Sequence, residues 1–143
     1  MLEEIVIRKA NIADLSALEE VGDRVFDHPI KQNRAIEFLN DSRHHLFVAI
    51  HQDKIIGMAS GFHHVHPDKD PALFIDEVGV LEKLQGRGIG SELVRSLSEY
   101  GKKLGCTAAW VITESTNTAA IKAYKKAGGV EDGGSFRMIE LKM

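Results

Sequence analysis

Between residues 74 and 104 the chain passes from a β-rich run, FIDEVGV, into QGRGIG at residues 85–90. It then enters a stretch whose apolar residues recur at helical spacing. Gly86, Gly88 and Gly90 therefore alternate at the mouth of a helix that follows a strand. Helix N-termini leave backbone N–H groups unpaired and carry partial positive charge, so they draw phosphate. Glycine there lets an anion come close to the main chain, while Ile89 between the last two glycines is free to anchor the turn in the core. A glycine-loosened helix start without a ligand would give the same tripeptide pattern.

The other periodicities set this unit in a larger α/β arrangement. Ile5 to Arg8 reads as a strand, and Asn11 caps a helix with Asp14 in its first turn. Leu15, Leu18, Val21 and Val25 form an apolar stripe that carries that helix to about Phe26. The Asp27-His28-Pro29 stretch ends it, because proline disfavours helical backbone in the residue before it. Ile36 and Leu39 mark a second helix reaching about Asn40. Leu46 to Ile50 and Ile55 to Phe62 form a hairpin around His51–Lys54, and a second hairpin turns through His66–Pro71 into Phe74 to Val80. Ile89, Leu93, Val94, Leu97 and Leu104 define one face of the long helix, which stops at Gly105. A strand is expected from Ala108 to Thr113, then a helix capped by Asn117 that carries Ala120, Ile121 and Tyr124 and exits at Gly128-Gly129. Phe136 to Leu141 is expected to be the last strand, with room for one more near Val130. The order βααβββαβαβ describes an α/β (α+β) fold, one mixed central sheet flanked by helices, spanning residues 1–143 as a single domain.

Size and charge narrow what such a domain does. A chain of 143 residues buries roughly two-thirds of its unfolded surface, enough for a core without disulfides. Cys106 is the single cysteine, which excludes an intramolecular bridge and fits a reducing, cytoplasmic setting. Glu3 and Glu4 stand where a leader segment needs positive charge, and no apolar run approaches the ~18 residues of a membrane span. A formal net charge of −3 has the wrong sign for a general phosphate-backbone binder, so no nucleic-acid partner is expected. His63, His64 and His66 cluster before the second hairpin turn, yet no HExxH or cysteine partner accompanies them, and no metal is expected. Lining an acceptor pocket suits them better. Cys106, just after the long helix, reads as a small boundary residue, and Trp110 as packed in the sheet.

Three phosphate-binding loops compete for residues 85–90. A P-loop needs GKS or GKT, whereas this loop runs into Ser91-Glu92. A Rossmann fingerprint needs a third glycine where Ser91 stands, and Leu81 to Gln85 separate strand from loop; Glu114 nevertheless lies near the distance of a ribose-binding acid. The third option is QxxGxG, carried by Gln85, Gly88 and Gly90 and preceded by EVGV. In these motifs the chain resembles the GNAT superfamily of acyl-CoA-dependent N-acetyltransferases. The likeness runs from IRKANIADL to NTAAIKAY and the AGG beyond it. Within the superfamily, ASGFHHVHPDKDPALFIDEVGV and AWVITESTNTAA look most like the aminoglycoside 3-N-acetyltransferase group and its uncharacterised relatives.

The resemblance implies acetyl-CoA as the acyl donor and a central strand, Phe74 to Val80, splayed from the strand after the long helix. The pantetheine arm would pair with Val78, Gly79 and Val80 like an added strand. The diphosphate would fall on the Arg87, Gly88, Gly90 and Ser91 amides, with Gln85, Gly86 and Ile89 completing the loop. Asn117 and Tyr124, about two helical turns apart, would face the cofactor from one helix. A primary ammonium is mostly protonated at neutral pH, so its attack on a thioester needs a base. Glu77 occupies the family's acidic position on the central strand, with Asp76 expected on the opposite face of the pleat. Tyr124 corresponds to the tyrosine that protonates the leaving thiolate, although a core aromatic would explain it without the loop. Direct attack leaves no role for Cys106 as a nucleophile. Asp27, His66 and Glu114 are expected near the pocket edges, where they would read substrate ammonium groups. The implied acceptor is a small-molecule amine, aminoglycoside-like or another polyamine. A peptide or protein amine, or a non-catalytic acyl-CoA-binding domain, is the alternative, and the family suggests a homodimer.

Overall fold

The hairpin at the centre of the sheet joins β2 (His44–His51) to β3 (Lys54–His63), and its turn forces Gln52 and Asp53 into left-handed backbone, φ 50° and 63°. Such turns match the natural twist of paired strands. Outside that pair the computed structural model, which describes residues 4–143, adds β1 (Val6–Lys9) on one side and β4 (Ala72–Val80) then β5 (Ala108–Trp110) on the other. Glu3, counted above against a leader segment, lies outside the described residues. The sheet order is β1-β2-β3-β4-β5, antiparallel throughout except for the parallel β4–β5 pair. The mixed α/β sheet flanked by helices is thus the observed fold class.

Both faces of the sheet are covered. On one face lies α3 (Ile89–Lys103), which buries Ile89, Leu93, Val94 and Leu97 against Phe47, Ala59, Leu73, Ile75 and Val80. Gly101 allows close approach, since a Cβ there would meet Leu73 at 3.1 Å. On the other face α1 (Leu15–Glu19) and α2 (Gln32–Asn40) cover Leu46, Val48, Ile55 and Met58. Asn11 and Asp14 cap the 3-10 turn before α1 reciprocally: the Ala13 N–H donates to Asn11 Oδ1 at 2.9 Å, and the Asn11 N–H donates to Asp14 Oδ2 at 2.8 Å. Arg8 donates to both Asp14 oxygens and holds that carboxylate below its usual pKa.

Four expectations need correction. The first helix ends at Glu19, not Phe26. Arg24 adopts left-handed backbone (φ 66°), so Val25 is buried from an irregular segment and not from a helical stripe. β5 stops at Trp110 instead of Thr113, and Trp110 is half-exposed with one face against Phe74. No strand forms at 136–141 or near Val130, because β5 leaves the sheet after three residues and no edge lies beside them; Phe136, Ile139 and Leu141 are exposed. The remaining helix, α4 (Thr118–Lys126), forms where Asn117 was expected to cap one, and it packs on α3.

One buried polar group links the fold to pH. His45 is 1% exposed on β2, with Nε2 2.8 Å from Nδ1 of His63 on β3 and its ring against Tyr100 of α3. Its Nδ1 has no hydrogen-bond partner. Burial, then the neighbouring His63 and Lys9, lower its pKa to about 4. The unfolded chain therefore takes up this proton first as pH falls. Unfolding free energy measured by urea titration should decline between pH 6.5 and 4. His45→Phe should flatten that decline, and an equal slope in both proteins would contradict the assignment.

Candidate active site

β5 pairs with β4 only at Ala72, Leu73 and Phe74, opposite Ala108, Ala109 and Trp110. From Ile75 to Val80 the outer edge of β4 has no strand partner among the described residues. That edge is a row of main-chain donors and acceptors open to an added strand. Val111 to Thr113 form no strand, so this stretch of the β4 edge stays open within the sheet.

The glycine loop closes one end of the opening. Gln85 Nε2 donates to the Val80 carbonyl at 2.9 Å, tying the loop to the last residue of β4. Gly86 and Gly88 have φ of 78° and 83°, the left-handed region that side chains rarely tolerate, and Gly88 is the N-cap of α3. The first helical bond runs from the Glu92 N–H to the Gly88 carbonyl, so the amides of Ile89, Gly90 and Ser91 have no partner within the helix. Ile89 is buried, as expected of the turn's anchor. A Cβ at Gly90 would sit at ordinary distance, 3.8 Å, from Val80; the chain itself requires glycine at 86 and 88, not at 90. At Gly88 a Cβ would lie 3.0 Å from Lys126 Nζ, which places an ammonium over the loop beside exposed Arg87. Two cations and three free amides around a turn without side chains suit a diphosphate. The open β4 edge running into that turn suits the amide-bearing arm of coenzyme A. Sequence reasoning missed Lys126; its position two residues beyond Tyr124, on the helix that borders the loop, was the available signal.

The other end of the opening is a cleft of about 380 Å³ between β3, β4, α2 and the segment joining α1 to α2. Glu77 projects into it half-buried, and its Oε1 accepts the Asp27 N–H at 2.7 Å. Desolvation pushes the Glu77 pKa up, and the nearby negative charges of Asp27 and Asp76 add to the rise, against the lowering effect of that N–H. Asp76 lines the same cleft, contrary to the expected opposite face. The reason is a bulge in β4. Ser60 pairs with Glu77 and Gly61 with Ile75, so Asp76 is the unpaired extra residue and the alternation of faces is broken at that point. Gly79 fixes the cleft's other wall, because the irregular segment crosses so close that a Cβ would fall 1.9 Å from the Val25 carbonyl oxygen.

The remaining predicted residues divide. Asp27 lies in the cleft. His66 does not: it is exposed in the turn after β3, paired with Asp68, because the strand ends at His63. Glu114 is also exposed and outside the cleft, its carbonyl accepting the Asn117 N–H at 3.0 Å where the chain has already left the sheet. Asn117 caps α4, its Oδ1 accepting the Ala120 N–H at 3.1 Å. Tyr124 packs half-buried against the α3 side of the core, and burial raises its pKa, so the phenol keeps its proton at neutral pH. Burial likewise raises the Cys106 thiol, the opposite of an activated nucleophile. Among the described residues, no group of three or more His, Cys, Asp or Glu is disposed to hold a metal, and no helix is long and apolar enough to cross a membrane.

A model of the acetyltransferase (GNAT) family matches residues 11–129. A mycothiol acetyltransferase of Saccharopolyspora erythraea is 35% identical over 68 residues, covering 46% of this chain and 22% of that protein, so the chain matches about a fifth of its relative's length. An aminoglycoside acetyltransferase from an uncultured soil metagenomic sample, solved with sisomicin, superposes with a TM-score of 0.79 at 19% identity, over 96% of this chain and 97% of that one. AAC(6')-Iy, solved with a bisubstrate analogue of coenzyme A and monomethyl-acetylneamine, gives 0.81 at 22% identity, over 99% and 100%. The solved structures share the fold. The match to the family model carries the family and not the 3-N-acetyltransferase subgroup suggested by residues 59–80 and 109–120.

The contact at Gly79 gives a direct test of how the cleft is held. Gly79→Ala drives a side chain into backbone, so we expect it to cost about 1–3 kcal/mol in a urea titration. Gly57→Ala, whose nearest neighbour at 3.2 Å is the flexible tip of Leu93, should cost less. Equal stability of Gly79→Ala and the parent chain would show that the segment does not press on β4.

Proposed function

The chain belongs to the acetyltransferase (GNAT) family, and on that premise we propose that it transfers the acetyl group of acetyl-CoA directly to a primary amine of a small molecule. One observation carries the reading: the open β4 edge leads from a glycine turn with unpaired amides to a cleft floored by a glutamate whose pKa is raised. Acetyl-CoA supplies a thioester, and the chain's residues hold it and move protons around it. Gly88, Gly90 and Ser91 amides, with Arg87 and Lys126, hold the diphosphate, and Gln85, Gly86 and Ile89 keep the turn in shape. The edge at Val78, Gly79 and Val80 aligns the arm.

Glu77 takes the proton that the acceptor ammonium must lose. Its raised pKa makes it a stronger base than an exposed glutamate. The amine nitrogen then bonds to the acetyl carbon, the carbon–sulfur bond breaks, and the electron pair leaves on sulfur. Tyr124, protonated at neutral pH, gives its proton to that thiolate and is restored by the second N–H proton, which the nitrogen sheds as the amide forms; Asn117 orders the start of the helix that carries it. Asp76 and Asp27 attract the ammonium and raise the basicity of Glu77.

Two measurements test the proposal. Acetyl-CoA at 100 times its Kd should add ~2.7 kcal/mol of stability, a Tm rise on the order of 10 °C, while NAD gives none. Stabilisation by NAD and not by acetyl-CoA would return the loop to a dinucleotide reading. In kinetics, Glu77→Gln should lower kcat/KM by ~10²- to 10⁴-fold. In the parent enzyme the acid limb should lie above the ordinary glutamate range, since activity requires the ionised form, and Asp76→Asn should move it to lower pH. Tyr124→Phe should slow turnover with acetyl-CoA binding nearly intact. Unchanged turnover in either variant removes that residue from the mechanism.

A further inference from the structure

The floor of the acceptor cleft is a row of side chains carried by three neighbouring strands. Leu46 of β2 stands opposite Ser60 of β3, Ser60 stands opposite Glu77 of β4, and all three line the cleft. Along β3, Met58 belongs to the core under α1 and α2, and Ala59 to the core under α3. Alternation of faces therefore points the Ser60 side chain to the α1–α2 side, where the cleft lies. A small residue between a leucine and a glutamate leaves room in the row, directly beside the proposed base.

The fold makes little use of that hydroxyl. Ser60 is 7% exposed, on a face otherwise built from buried Leu18, Leu46 and Met58. Its Oγ lies 3.5 Å from the Glu77 carbonyl oxygen, the one side-chain hydrogen bond it makes among the described residues, and longer than the usual O–H···O range of about 2.5–3.0 Å. Nothing among those residues donates to it, so both of its acceptor lone pairs are unused. Burying a hydroxyl so poorly partnered costs free energy that an alanine would not. The group nevertheless stands where the acceptor nitrogen must come. The Glu77 carboxylate is fixed by the Asp27 N–H at 2.7 Å, and residues directly opposite in an antiparallel pair hold their Cβ atoms about 4.5–5.5 Å apart, so an amine at Glu77 comes within reach of Ser60.

We infer that Ser60 binds the acceptor: its Oγ accepts an N–H of the amine at the cleft floor and holds the nitrogen beside Glu77 during acetyl transfer. The inference rests on the acetyl-transfer reading above and adds a substrate contact to it. The protons balance. A primary ammonium carries three: Glu77 takes one, the second restores Tyr124 as the amide forms, and the third stays on the amide nitrogen throughout. Ser60 holds the third, so the serine neither gains nor loses a proton. A secondary ammonium carries only two, and both leave during the reaction. Ser60 thus favours primary amines, which alone offer it a partner that lasts from substrate to product.

The test compares Ser60→Ala with the parent enzyme by coenzyme A thiol release at saturating acetyl-CoA, with benzylamine and neamine as primary amines and N-methylbenzylamine as the secondary one. We expect kcat/KM for the primary amines to fall about 10- to 100-fold, the usual loss for a hydrogen bond to a charged partner, and that for N-methylbenzylamine to change little. The acid limb of the pH profile and the Tm rise given by acetyl-CoA should stay where they are. In a urea titration the variant should be as stable as the parent or more so, because a poorly partnered buried hydroxyl is removed. Unchanged kcat/KM for the primary amines, or an equal fall for primary and secondary amines, overturns the contact with acetyl transfer left standing. A variant less stable than the parent assigns the hydroxyl to the fold, and a displaced acid limb assigns it to the pKa of Glu77; either overturns the inference. Absence of thiol release with all three probes in the parent, where acetyl-CoA still raises Tm, overturns the transferase reading and the role of Ser60 with it.

Discussion

The unpaired edge of β4 from Ile75 to Val80 is the constraint on which the site depends. A buried sheet normally satisfies each main-chain donor and acceptor with a neighbouring strand, and edges left open tend to recruit one. Here β5 accompanies β4 for three residues and then departs. The exposed edge ends at Val80, whose carbonyl is held by Gln85, and the chain turns through two left-handed glycines into α3. Strand edge, glycine turn and helix N-terminus thus form one continuous surface of main-chain polar groups, complementary to a ligand with amides at one end and phosphates at the other.

The bulge at Asp76 does the complementary work on the opposite face. Without it, strict alternation would point Asp76 and Glu77 to opposite sides of the sheet, one of them into the core packed by α3. The extra residue turns both into the cleft, keeps Ile75 and Val78 facing α3, and leaves Glu77 where desolvation, with the charges of Asp27 and Asp76 added, raises its pKa. Gly79 lets the α1–α2 segment lie directly on the strand, which positions the Asp27 amide on Glu77. The donor side and the acceptor side are therefore organised by neighbouring residues of a single strand.

Features set by local chemistry were legible in the amino-acid sequence. The Asn11–Asp14 cap, the amphipathic face of α3, the hairpin at His51–Lys54 and the glycine turn each depend on residues close in the chain. What escaped depended on partners distant in sequence. The apolar spacing of Val21 and Val25 suggests a helix, but Val25 is buried, and Val21 half-buried, from a loop that crosses β4 at Gly79. The face of Asp76 depends on its register with β3. His66 and Glu114 sit at the right distances along the chain, yet the strands that would have carried them into the cleft stop short. A strand at 136–141 needed an edge that β5 does not extend to provide. Lys126 belongs to no motif, and only the packing shows that its ammonium lies beside Gly88.

Amide hydrogen exchange, followed residue by residue with and without acetyl-CoA, tests the open edge most directly. Slowed exchange is expected at outward-facing amides within 75–80 and at Gly88, Gly90 and Ser91, with little change in β1 and β2. Binding that protects the α1–α2 face or β1 instead, and leaves the β4 edge exchanging as before, would contradict the account of how this chain holds its acyl donor.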